Sequence, residues 1–368
     1  MIPRYTQQIS VFTFFLALFV RKKEFQRNFL FFNSCRGTIK WLLSHQRLYH
    51  NRKLKIGMPC YVCDTVYQAV SESDNTIILL DINPLGFSFT SELNEQIKNL
   101  DVLIWVNYFG FKYNSILKQI RSGFPDLIIV EDCSQVDLRD YLSKNSKDCY
   151  SDYSVFSFNF RKPITAGGGG LLIPNAERNT EFTQYLFKTY YQLSFERLTL
   201  HKIIHILIYN FSYNQVIFMI FNKLISNKRN QSFKPEELPI RSLYMNRILQ
   251  GIFYIQYMNE KQKKESEGYT LNYFYRLPDL VENISFGSLS YYPVTLKKFE
   301  DYSLNNNIDK YMLWENLEES YRFFNMDISQ DKFPLTFKFL SEIIFLPAKF
   351  FKNPDNRDIG FPEYHNND

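Results

Sequence analysis

Four short runs of apolar, β-prone residues, Lys55 to Pro59, Thr76 to Asp81, Val102 to Asn107 and Leu127 to Asp132, recur between stretches of helical character. The runs are continuously apolar rather than alternating, which is the pattern of strands covered on both faces and so of a mainly parallel sheet. A chain of this kind is an α/β protein. Ligands of such sheets collect at the carboxyl ends of the strands, which places Asp81, Asn107 and Asp132 at a candidate site edge. A fifth run ends at Ser157, and Gly170 to Pro174 reads as a strand returning after a glycine turn.

Composition narrows the class. The 368 residues suit about two domains. A hydrophobic content of 45% against 22% charged residues is that of a globular chain with a substantial core. The net charge of +5 is spread among mixed signs, without the clustered basic face that nucleic-acid binding requires, so no nucleic-acid partner is expected. Five cysteines form no disulfide framework, which suits a reducing, cytoplasmic setting. Cys60 and Cys63 make a C-x-x-C without a second pair, and His201 with His205 has no third ligand nearby in sequence, so no metal is expected. Val11 to Val20 is apolar but spans ten residues, where a bilayer needs about 20. Arg21, Lys22 and Lys23 follow it without a small-residue cleavage site, and the reading is a buried or partner-facing helix.

Further along, Ser34 or Thr38 is placed to cap a helix whose first N–H groups favour an anion such as phosphate, with Gly37 allowing close backbone approach. From about residue 176 to 235 the pattern is helical and aromatic-rich. Ile203 to Ile225 reads as a core-packing or dimer-facing helical pair, with an in-plane peripheral membrane contact over about 200–229 as the alternative. Leu243 to Lys264 has the periodicity of a connecting helix. Beyond it come a β-prone run at Ile284 to Val294, helical stretches at Leu296 to Leu304 and Trp314 to Phe323, and a short run at Ile343 to Leu346. The expected division is a large domain over 1–265 and a smaller α+β domain over 266–368.

The chemistry concentrates after Ser157. Lys162 follows it by five residues and precedes Gly167 to Gly170. Alone, this is a surface lysine before a hairpin. With Asp132 and Gln135 at the preceding strand's end, the set meets the three needs of pyridoxal phosphate: an amine for its aldehyde, a carboxylate for its ring nitrogen, and hydroxyl and backbone N–H groups for its phosphate.

These residues resemble the DegT/StrS family of sugar aminotransferases. The resemblance rests on Glu131-Asp132-Cys133-Ser134-Gln135, on Asp152 to Phe158, on Lys162 four residues beyond Phe158, and on Thr165-Ala166 followed by Gly167 to Gly170. Arg36-Gly37-Thr38-Ile39 and Met58 to Cys63 resemble the family's phosphate-binding helix start and its proline segment. Departures from the pattern are Arg36 before Gly37, Cys63 where an aromatic ring often stands, Ser151 before Asp152, Gly168 in place of a frequent Glu, and Pro239 near Arg241.

The resemblance implies the fold-type-I architecture of pyridoxal-phosphate enzymes. Lys162 would bind the cofactor covalently and shuttle the proton, Asp132 would pair with the pyridinium, and Gln135 would sit near the phenolic oxygen. Ser157, Gly37 and Thr38 would hold the phosphate. The implied reaction moves an amino group from an amino acid, glutamate, to a nucleotide-linked keto-sugar, in a homodimer. Two alternatives are a non-catalytic regulatory or scaffold member, motivated by the departures, and a sugar dehydratase. The family's dehydratases generally carry histidine at the lysine, so Lys162 weighs against the last.

Overall fold

The computed structural model describes residues 9–20, 29–82, 91–143, 150–160, 162–175, 177–178, 180–211, 240–258, 284–286, 291–295, 328–329 and 331–347. In chain order the first part comprises α1 (Val11–Ala17), β1 (Leu30–Phe32), α2 (Cys35–His50), β2 (Lys55–Pro59), α3 (Asp64–Ser71), β3 (Thr76–Leu80), α4 (Ser91–Ile97) and β4 (Val102–Val106). Next come β5 (Phe111–Tyr113), α5 (Asn114–Gly123), β6 (Ile128–Asp132), α6 (Leu138–Ser143), β7 (Tyr153–Ser157) and β8 (Gly170–Pro174). The remainder is α7 (Thr180–Tyr190), α8 (Leu200–Phe211), α9 (Arg247–Tyr257), β9 (Ile284–Phe286), β10 (Tyr291–Thr295), α10 (Pro334–Glu342) and β11 (Ile343–Pro347).

Seven strands form one sheet in the order β1-β8-β7-β6-β4-β2-β3. The β7, β6, β4, β2 and β3 neighbours are parallel, while β8 runs antiparallel to both β7 and β1. The expected mainly parallel α/β sheet is therefore present, and Gly170–Pro174 is its returning strand. Alternation along a strand turns neighbouring residues to opposite faces. Tyr153 and Val155 join the core on one face with Ile39, Trp41, Leu42 and Trp105, while Phe156 joins the other with Ile206, Leu249 and Phe253. Burial on both faces explains why β2, β4, β6 and β7 read as continuous apolar runs, whereas β3 at the sheet edge is only partly buried; each large side chain so enclosed contributes roughly 1.5–3 kcal/mol.

Three segments refine the expectation. The helix expected from Leu243 begins at Arg247, because Asn246 caps it by accepting the Ile248 N–H on Oδ1 at 2.9 Å. The run Ile284 to Val294 divides into β9, paired with β5, and β10, paired with β11. The first helix is only partly covered: Ala17 is buried against Gly251 of α9, but Phe12 is 70% exposed and Phe15 57%. Pro235 to Pro239, Leu296 to Leu304, Trp314 to Phe323 and all of 212–229 lie outside the described residues. No helix among the described residues is long and apolar enough to cross a membrane.

Candidate active site at the carboxyl edge

Because β1 is antiparallel to β8 and β8 to β7, the carboxyl ends of β1, β6 and β7 share one edge. At the end of β1 the chain turns into α2, and the sequence alternatives for its cap resolve in favour of Ser34. Ser34 Oγ accepts the Gly37 N–H at 3.1 Å, whereas Thr38 lies inside the helix and donates Oγ1–H to the Ser34 carbonyl at 2.9 Å. No acidic residue of α2 itself occupies the first turn, so the helix supplies no counter-charge of its own to the positive end of its dipole. The segment around Arg241 braces this turn: Ser242 Oγ donates to the Gly37 carbonyl at 2.8 Å, and Asn33 N–H to the Leu243 carbonyl at 2.9 Å.

Ser157 ends β7 and pairs with Gly170 of β8, and Gly170 in turn lies against the Ser34–Cys35 backbone and Thr38. The chain leaving β7 is pinned rather than loose. Phe158 donates its N–H to the Gly169 carbonyl at 3.0 Å and accepts from Ala166 and Gly168 at 2.9 and 3.1 Å. Gly167, Gly168 and Gly169 take φ of 75°, 144° and 119°, left-handed values that side chains disfavour. Lys162, half-buried, stands on this turn with its N–H directed to the Asn159 carbonyl at 3.3 Å.

Asp132, at the end of β6, is 3% exposed and accepts the Ser134 N–H at 2.9 Å. Burial pushes its carboxyl above the ordinary range, and the Ser134 hydrogen bond and the Lys162 charge pull part of the way back. Two thiols share this corner. Cys35 is pushed well up by burial and by Asp132, with Lys162 opposing; Cys63, pushed up to about 11 chiefly by burial, also feels Lys162. Lys162, Asp132, the start of α2, Gly170 and Ser157 thus form one connected corner. Gln135 lies half-buried in the turn beyond Asp132.

Two strand-end residues expected at this site serve elsewhere. The Asp81 carboxylate accepts the Leu335 and Thr336 N–H groups and the Thr336 hydroxyl, each at 2.9 Å, and so caps α10. Asn107 is fully buried and donates Nδ2–H to Glu131 Oε1 at 2.7 Å and to Cys133 Sγ at 3.2 Å. Glu131, next to Asp132 but facing away, also accepts from the Ser151 hydroxyl at 2.9 Å. Asp152 is structural: Arg121 Nη2 meets its Oδ2 at 2.5 Å, and the Ile129 N–H donates to the same oxygen at 2.7 Å. Cys35 was not singled out from sequence, although its place one residue after the capping Ser34 was a usable signal. Ser242 carried no signal, because its partner is distant in sequence.

The donor set suits a phosphate-bearing aldehyde cofactor: an amine, a buried carboxylate 3% exposed, and a helix start seated on the side-chain-free Gly170. No family model and no curated protein matches the sequence. Solved structures do match. A Streptococcus pneumoniae protein assigned as a sugar aminotransferase, Spr1654, in its PMP form, superposes with a TM-score of 0.63 at 14% identity, over 97% of this chain and 95% of that one. Helicobacter pylori PseC, an aminotransferase involved in the biosynthesis of pseudoaminic acid, gives 0.59 at 16% identity, over 96% and 95%. A DegT DnrJ EryC1 StrS aminotransferase from Brucella abortus gives 0.55 at 14%, over 90% and 83%. The chain shares the fold of these aminotransferases.

Proposed function

We propose that the protein is a pyridoxal-phosphate-dependent sugar aminotransferase that moves an amino group from an amino acid, glutamate, to a nucleotide-linked keto-sugar. The observation that carries this reading is the meeting of the Ser157 end of β7, the glycine turn after Lys162 and the start of α2 beside the carboxyl end of β6, where Asp132 is 3% exposed. The bound cofactor supplies an electron sink through which an amino group and a proton are exchanged at one substrate carbon.

The chain's residues have distinct tasks. Lys162 Nζ would hold the cofactor through its aldehyde and is the amine placed to move a proton at the substrate carbon. The Asp132 carboxylate would pair with the cofactor's ring nitrogen, and its burial at 3% exposure would make that charge pairing stronger than in water. Ser157 Oγ and the start of α2 at Gly37 and Thr38 would hold the phosphate, in exchange for the bonds that both N–H groups make to Ser34 here. Gln135 is assigned to the ring's phenolic oxygen. We read residues 1–265 as the cofactor-binding part, 266–368 as the smaller domain, and a second copy of the chain as completing the site in a cytoplasmic homodimer.

The test is direct. Purified protein should be yellow, and borohydride should fix the cofactor on Lys162, as peptide mass analysis would read. A Lys162→Ala protein that retained the same yellow absorbance and borohydride labelling would refute the assignment. Amine transfer from glutamate across a panel of nucleotide-linked keto-sugars tests the substrate class, and its complete absence in cofactor-loaded protein would favour a regulatory subunit.

A further inference from the structure

The first helix is firmly seated yet apolar on its outer side. Ser10 Oγ caps it by accepting the Thr13 N–H at 2.9 Å, and Ala17 packs so closely on α9 that a Cβ on Gly251 would stand 2.5 Å from the Ala17 carbonyl oxygen. Ile9, just ahead of the helix, is fully buried. Phe12, Phe15 and Leu16, with Phe19 in the turn that follows, are spaced i, i+3, i+4 and i+7, which is one helix face, and all four are exposed, Phe19 by 79%. Contiguous apolar surface of this kind marks an interaction site. The charges beside it have one sign. No Asp or Glu precedes Glu24, while Arg4 lies ahead of the helix in sequence and Arg21, Lys22 and Lys23 follow it. A second acid-free stretch adjoins the first: Ile206 of α8 and Ile9 both pack on Gly167, Leu200 and Ile204 of α8 are exposed, and from Arg197 to Lys234 the sequence carries Lys and Arg but no acid.

We propose that this face docks on an anionic lipid surface, with α1 lying in the plane of the membrane. Phe12, Phe15, Leu16 and Phe19 would enter the boundary between headgroups and acyl chains, and the neighbouring cations would meet the anionic headgroups. An apolar helix face with cations beside it is what holds a helix in that boundary without crossing it, and no described helix is long and apolar enough to cross. A second copy of the chain answers the face less well. A two-fold contact sets the same patch against itself, and a patch whose sequence margins carry cations and no acid would then oppose like charges. The lipid surface satisfies both the apolar stripe and its charge.

The experiment is flotation of the full-length protein with vesicles of phosphatidylcholine alone and of phosphatidylcholine mixed with phosphatidylglycerol. Binding to the mixed vesicles is expected, weaker by about tenfold on phosphatidylcholine alone and weakened by salt. Phe12→Ser combined with Phe19→Ser, at side chains already exposed to water, should keep the far-UV circular dichroism and lose about tenfold or more in binding to either vesicle. Arg21→Gln, Lys22→Gln and Lys23→Gln together should lose about tenfold on the mixed vesicles and little on phosphatidylcholine. Light scattering without lipid should give the three proteins the same mass. No binding to the mixed vesicles, or binding of equal strength by wild type and both variants, would overturn the proposal. A lower mass for the phenylalanine variant, with no vesicle binding by wild type, would overturn it in favour of a second copy on this face.

Discussion

Gly170 and Thr38 meet so closely that a Cβ on the glycine would stand 2.6 Å from Thr38 Oγ1, and 2.7 Å from the Cys35 amide nitrogen. The first turn of α2 therefore packs directly on the backbone of β8. Gly170→Ala must push the helix start away from the Ser157 end of β7, at a cost of roughly 1–3 kcal/mol. We expect this variant to keep its far-UV circular dichroism but to lose cofactor on dialysis, read as loss of visible absorbance. Retention equal to wild type would mean that the start of α2 does not hold the phosphate.

Asp132 gives a prediction with a sign. Burial raises its carboxyl in the folded protein above the value in the unfolded chain, so the folded state without cofactor keeps that proton longer. Its stabilising contribution is complete below the unfolded value, about 3.9, and is lost as pH rises through the folded value. Asp132→Asn, which removes the charge, should raise the thermal midpoint of cofactor-free protein by a few degrees at neutral pH. The gain should vanish toward pH 4 and reverse when cofactor is added to both proteins. A midpoint below wild type at neutral pH without cofactor would contradict this.

The Arg121–Asp152 pair, at 2.5 Å and with side chains 10% and 5% exposed, ties α5 to the start of β7. Asp152→Asn leaves the guanidinium buried without a counter-charge and should destabilise by about 3–5 kcal/mol in urea unfolding. Arg121→Met combined with Asp152→Asn should recover part of that loss, because the stranded charge is gone. A double variant weaker than the single one would show that the guanidinium's bonds to the Pro125 and Leu127 carbonyls outweigh its charge.

Glu72 joins three elements: its Oε2 accepts from Lys40 Nζ at 2.8 Å and from the Ile240 N–H at 2.8 Å. Burial raises its carboxyl, but the Lys40 and Ile240 hydrogen bonds prevail and hold it below the usual range. The resulting stability is present above the unfolded value, about 4.3, and is lost as pH falls through the folded one. Glu72→Gln should therefore flatten the acid limb of the stability profile and speed amide exchange at Ile240. Unchanged exchange at Ile240 would show that the segment bracing α2 is held elsewhere.

Much of this arrangement was legible in sequence for a physical reason. Strands enclosed on both faces must be apolar throughout, so β2, β4, β6 and β7 announced themselves, and the glycines before β8 marked the turn that reverses the chain. Which way a polar residue points at a strand end was not legible. Glu131 and Asp132 are adjacent acids, yet one faces Asn107 and Ser151 while the other approaches Lys162. Asp81 looked equally available, but it caps a helix that begins at Pro334. Such assignments depend on partners far away in sequence, as does the bracing of Gly37 by Ser242.

The sheet order also sets when the site can exist during synthesis. β1 emerges early from the ribosome, yet its hydrogen-bonding neighbour is β8, with Leu30 opposite Leu172. The start of α2 is thus among the first segments made and among the last to be fixed, since β8 must first dock on β7. Pairings this distant in sequence carry a large loop-closure cost and form slowly. A growing chain shorter than β8 holds Asp132 and Ser157 but lacks the strand that seats α2 beside them, so cofactor capture must wait until that strand has been made.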